Sequence, residues 1–126
     1  MSREDEPRFR TTFSPESYAR TTDSAVRFVP VGMGGTVLGY LWASTTDEAA
    51  KYVARRDAGD AGVNAGVAWV QRLRWAKATG LTPLQALRHW AGQPEDTRAG
   101  RIDPDTERVL PSLRALEDLA ADRPRR

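Results

Sequence analysis

FVPVGMGGTVLGYLWASTT, residues 28–46, is the longest stretch without a charged side chain, and its reading decides the fold. It meets the length a bilayer crossing needs, about 20 apolar residues with a floor near 17. Phe28 at one end and Tyr40 and Trp42 near the other suit the aromatic belts of a membrane helix. Val37, Leu38, Tyr40, Leu41 and Trp42 would carry the anchor. Gly35 and Gly39, four apart, would let two helices pack closely in lipid. Against this, Pro30, Gly32, Gly34 and Gly35 crowd the first half, and Ser44, Thr45 and Thr46 dilute the last turn.

The same residues also divide into two strands, Ala25–Val31 and Thr36–Ser44, joined by a Gly-rich turn at Gly32–Gly35. Val26, Phe28, Val29 and Val31 suit a strand, as do Val37, Tyr40 and Trp42, and glycines supply the positive φ that a hairpin turn requires. Pro30 would have to sit on an edge, because it cannot donate to a ladder. A lone hairpin is marginal in water, and no third strand is evident, so helices would have to cover it. Length, flanks and the missing strand partners favour the anchor. The expected fold is therefore mainly α, with one marginal transmembrane or buried Gly-rich apolar segment followed by a small helical domain. The alternative is a soluble α+β fold with a hairpin at 25–44 packed on helices.

Around that stretch the chain divides into a polar, disordered or loosely ordered tail over 1–24, the apolar segment over 25–46, a helical domain over 47–121 and a basic tail over 122–126. The leader carries only three aromatics, Phe9, Phe13 and Tyr18, as anchors for a partner if it docks at all. Thr45 and Glu48 have the spacing of a capping box and predict a short helix to about Arg56, and Asp60 is the next cap. The clearest helix covers about Ala61–Thr79. Val63, Val67, Val70 and Arg74 follow one 3–4 spacing, and Gly66, Trp69, Leu73 and Ala76 another beside it. Gly80 stops it. Thr82, Pro83 and Gln85 then give a capping box with a first-turn proline, followed by a helix whose apolar side holds Leu84, Leu87 and Trp90. A last helix is expected over about Ser112–Ala121, burying Leu113, Leu116 and Leu119.

At 126 residues this is a single domain with tails. Arginine supplies nearly all of the positive charge, yet the formal net charge is only +2, too balanced to argue for nucleic acid or anionic lipid in general. With no cysteine, disulfides, thiolate metal sites and a cysteine nucleophile are excluded. The apolar run starts too late for a cleavable signal peptide, so an inserted segment would be an uncleaved anchor.

Chemistry is sparse. The single histidine, His89, has no GxSxG-type nucleophile turn to serve, and one histidine without cysteine does not make a zinc site. The carboxylates of Asp57 and Asp60, Glu95 and Asp96, and Asp103 and Asp105 are neighbours at turns, where capping and solvation explain them. GMGG has the spacing of neither a dinucleotide fingerprint nor a P-loop. No catalytic, cofactor-binding or metal-binding residue is nominated, no cofactor is expected, and the protein is read as a non-enzyme. LRWAKATGLTPLQALRHW, residues 73–90, has a helix–turn–helix pattern, and Arg72, Arg74, Lys77 and Arg88 could meet phosphates. Leu84, Leu87 and Trp90 take up much of its short second helix, so DNA binding ranks below protein binding.

The expected function is that of a small, membrane-anchored protein-interaction or accessory protein. The alternative is a soluble, cytoplasmic α+β protein-binding module. A protein partner or self-association is expected, with Trp69, Leu73, Trp75, Leu84, Leu87 and Trp90 as candidate interaction residues, since tryptophan is enriched at interface hot spots.

Overall fold

In a computed structural model that describes residues 17–122, the apolar stretch is a β-hairpin. Strand β1 spans Val26–Met33 and β2 spans Thr36–Ser44, and they pair antiparallel. Gly34 and Gly35 between them have φ of 57° and 85°. Two successive positive φ values make the two-residue turn whose twist matches that of its strands. The two partners missing from the sequence reading are β3, Ala50–Ala54, and a short β4, Arg108–Leu110. The four form one antiparallel sheet in the order β3-β2-β1-β4. Helices α1 (Gly59–Thr79), α2 (Pro83–His89) and α3 (Leu113–Ala121) complete an α+β fold, with one 3-10 turn at Arg56–Ala58.

This overturns the transmembrane reading. Among the described residues no helix is long and apolar enough to cross a membrane. Leu38, Tyr40, Leu41 and Trp42 are buried by protein, and Val37 lies partly exposed at the start of β2. The physical reason for the misleading hydropathy is that the sheet is covered on both faces. Val29, Val31, Leu41, Ala43, Ala50 and Tyr52 pack against α1 and α2, with Trp69, Leu73 and Leu87 among the facing residues. Val26, Phe28, Tyr40 and Trp42 pack on the other side against Leu116 and Ala120 of α3. A central strand covered twice has no solvent face, so it loses the polar alternation that marks an ordinary strand. Its composition then matches that of a lipid-embedded segment.

Two irregularities fit the strands to these layers. Val31 pairs with Gly39 and Gly32 with Val37, so Leu38 is an extra residue in β2. This bulge places Leu38 in the same core as Leu41, although the two are three apart. Pro30 lies between the part of β1 paired to β4 and Gly32, which exchanges hydrogen bonds with Arg101. Its missing N–H therefore interrupts no ladder on that side.

The mainly helical expectation also fails over residues 45–56. The spacing read as a capping box belongs to a turn organised by Ser44, the one fully buried polar side chain among the described residues. Its hydroxyl accepts from the amides of Glu48 and Ala49, each at 3.0 Å, and from the Thr46 hydroxyl at 3.1 Å. The residues after it extend into β3. Of the leader, residues 1–16 lie outside the described residues, but the part from Ser17 is attached to the domain. Tyr18 is buried and its hydroxyl donates to the Leu81 carbonyl at 2.6 Å, while the Ala50 amide donates to the Ala19 carbonyl at 3.0 Å. Of the basic tail, residues 123–126 lie outside the described residues.

The helices themselves follow their local signals. Gly80 closes α1 with φ 97°. Thr82 and Gln85 form the reciprocal capping box with Pro83 at the helix start, and the Leu84 amide finds a further acceptor in Asp47, at 2.8 Å. Ser112 caps α3 by accepting from the Ala115 amide. Asp60 does not cap α1, which begins one residue earlier, but it sits in the first turn, where a carboxylate is favoured by the helix dipole.

Candidate interaction surface on the first helix

Helix α1 is seated on the sheet by small residues. Its buried side is Gly62, Ala65, Trp69, Leu73 and Ala76. The ring of Tyr52 lies between β2 and the helix. A Cβ on Gly39 would fall 2.5 Å from the Tyr52 hydroxyl oxygen, and one on Gly66 3.3 Å from its ring. Gly39 is therefore a site of close approach within a strand. Gly35, expected with it on one helix face, is a turn residue instead. Burial pushes the Tyr52 hydroxyl well above the usual tyrosine range, and it stays a neutral donor to the Gly62 carbonyl at 2.8 Å.

At the other end of α1 the tryptophans expected at an interface are mostly structural. Trp69, Leu73, Leu87 and Trp90 are buried, and Leu84 is half-buried. Trp69 meets Trp90 edge-to-face at 5.2 Å, and its indole N–H donates to the Ala99 carbonyl at 3.0 Å. The Arg72 guanidinium lies over both rings, 4.9 Å from Trp69 and 5.5 Å from Trp90. Only Trp75 of this set is substantially exposed, at 49%, stacked at a tilt on His89.

Two carboxylates, those of Glu107 and Asp96, hold loops in place. Glu107, just before β4, accepts from Arg88 of α2 through both carboxylate oxygens at 3.0 Å and from Arg27 of β1 at 3.2 Å. The Arg88 bonds, with Arg27 in support, hold its carboxyl below the usual range. Asp96 accepts from the amides of Ala99 and Arg98, which lower its carboxyl likewise. Among the described residues no three His, Asp or Glu side chains converge as a metal site would require. A cleft of about 270 Å³ opens beside Arg88 and Glu107, which already hold each other, and Asp103 and Asp105 also line it. In the helix–turn–helix pattern, α2 is seven residues long, buries Ala86 and Leu87, and has Arg88 tied to Glu107.

What remains is the outer side of α1. Val63, Val67 and Val70 are 62%, 59% and 45% exposed. Their spacing places them on one stripe, about a third of a turn round the helix from the middle of the buried side. Scattered exposed valines are ordinary on a protein surface. Three in register are less so, and the middle one, Val67, lines an open groove of about 460 Å³ together with Met33, Ala61, Asn64, Thr97 and Arg98.

Comparison with family models, with curated proteins and with solved structures finds no match for this chain. The surface must therefore be read from its own chemistry. The sequence reading placed Val63, Val67 and Val70 on the apolar face of the helix together with Trp69 and Leu73. The signal that separates them is width. Two parallel apolar rows span more of the helix than one sheet contact covers, so one row is left outside.

Proposed function

We propose that this chain is a non-enzymatic α+β binding module that works in an aqueous compartment and engages a protein partner through the outer face of α1. The observation that carries this reading is the exposed row Val63, Val67 and Val70, on a helix whose neighbouring row, Trp69, Leu73 and Ala76, is packed in the core. Covering an exposed valine contributes roughly 1–2 kcal/mol, so three in a row with the adjoining groove supply the apolar centre of an interface. Asn64 and Arg98 at the groove give polar groups for its rim.

The test is a photo-cross-linking residue placed at position 67 in the full chain, with the same residue at Glu117 on α3 as control. The expected result is a discrete adduct from position 67 that is lost when Val63→Arg and Val70→Arg are added and is not seen from position 117. Because both valines are exposed, those changes should alter stability by no more than about 0.5 kcal/mol, which thermal unfolding checks. Equal labelling from both positions, or an adduct that survives the arginines, would remove the reading.

A further inference from the structure

The charges on α1 are sorted along its length. Asp60 in the first turn is its one carboxylate, and Arg72, Arg74 and Lys77 all lie in the second half. Two of these charges continue the valine row. Asp60, Val63, Val67, Val70 and Arg74 follow one another at intervals of three and four residues, the spacing of the seam along which two helices pack. Asp60 is exposed and makes no ion pair among the described residues. The row therefore has a negative end, an apolar middle and a positive end.

A row of that kind is complementary to its own reverse. Asp60 and Arg74 stand seven residues to either side of Val67, each about 10.5 Å from it along the helix. An antiparallel copy related by a two-fold axis at Val67 sets Asp60 of each chain against Arg74 of the other. It also brings Val67 against Val67 and Val63 beside Val70. The guanidinium has five donors, so Arg74 can take that carboxylate alongside contacts within its own chain. A parallel copy would instead oppose like charges at both ends.

We propose that the occupant of this face is a second copy of the chain, with the two α1 helices antiparallel about Val67 in a symmetric dimer. This rests on the reading of α1 as the binding face, and it names the partner. At 21 residues α1 is about 31 Å long, and one side of it falls short of the roughly 800 Å² per partner of a standard interface. The dimer is therefore a reversible one.

The test is sedimentation velocity on the purified full chain over a range of concentrations. The expected mass is that of a dimer at high concentration, falling toward the monomer on dilution. Val67→Arg, which sets two cations together on the axis, should leave a monomer. Asp60→Arg and Arg74→Asp should each weaken dimerisation about tenfold when alone, because both ends then oppose like charges. Mixed in equal amounts, the two variants should pair about as tightly as the parent chain, since each supplies the charge the other lacks. Thermal unfolding checks that every variant is folded. A parent chain monomeric at every concentration, a dimer unmoved by Val67→Arg, or a mixture no tighter than its components would overturn the proposal. A monomer that still gives a discrete position-67 adduct with a different protein refutes the dimer and keeps the face, whereas equal labelling from positions 67 and 117 refutes the face itself.

Discussion

The hydroxyl of Tyr52 on β3 donates to the carbonyl of Gly62 in the first turn of α1, across only ten residues of chain. That bond, with Gly39 beneath the ring, ties an edge strand, the central strand and the longest helix to one side chain. Glycine at position 39 is required for space rather than for backbone angle: its Cβ would sit 2.4 Å from the Val53 carbonyl oxygen, and backbone cannot swing aside. Gly39→Ala should therefore destabilise by about 3 kcal/mol or more through overpacking. Gly66→Ala, whose nearest neighbours are the Tyr52 ring atoms at 3.3–3.4 Å, should cost much less. Tyr52→Phe removes only the hydrogen bond and should cost about 1 kcal/mol. Urea unfolding of the three variants checks the order.

Ser44 holds the turn into β3 by satisfying two amides, that of Ala49 buried and that of Glu48 partly so, with one oxygen. Ser44→Ala leaves the Glu48 and Ala49 amides without that acceptor. A cost of about 2–3 kcal/mol is expected, since a buried donor left unmade forfeits its full desolvation. Amide exchange should show the loss first at Glu48, Ala49 and Ala50.

The tryptophans divide by burial. Trp69→Ala opens a cavity in the packed centre and loses the bond to Ala99, so about 3–5 kcal/mol is expected. Trp75→Ala, half-exposed on the same helix, should cost no more than about 1 kcal/mol. Comparable losses at both positions would contradict the core assigned to this end of α1.

Glu107 makes stability depend on acid. Its folded carboxyl lies below the ordinary glutamate value of 4.5, because Arg88 and Arg27 bind the charged form. Its contribution is complete above that ordinary value and is lost as pH falls through the lowered one. Glu107→Gln should lower stability at neutral pH by on the order of 1 kcal/mol, discounted for the exposure of both arginines. The difference between variant and parent should close as the solution is acidified below about 4.5. Chemical unfolding at a series of pH values reads both effects.

Local chemistry alone determined the three helices of this protein. Gly80, the Thr82–Gln85 box behind Pro83, and Ser112 act within one turn of chain, so their partners stand beside them in sequence. The glycine turn of the hairpin was legible for the same reason. Only the tertiary structure decided what surrounds residues 28–46, because a strand buried on both faces and a helix buried in lipid make the same demand on composition. It also decided that Ala50–Ala54 is a strand: its short run of apolar residues has no period long enough to exclude a helix, and pairing with β2 settles it. The valine row was visible as an apolar row, but which row faces solvent depends on how far the sheet extends under α1, and that is set by strands distant in sequence.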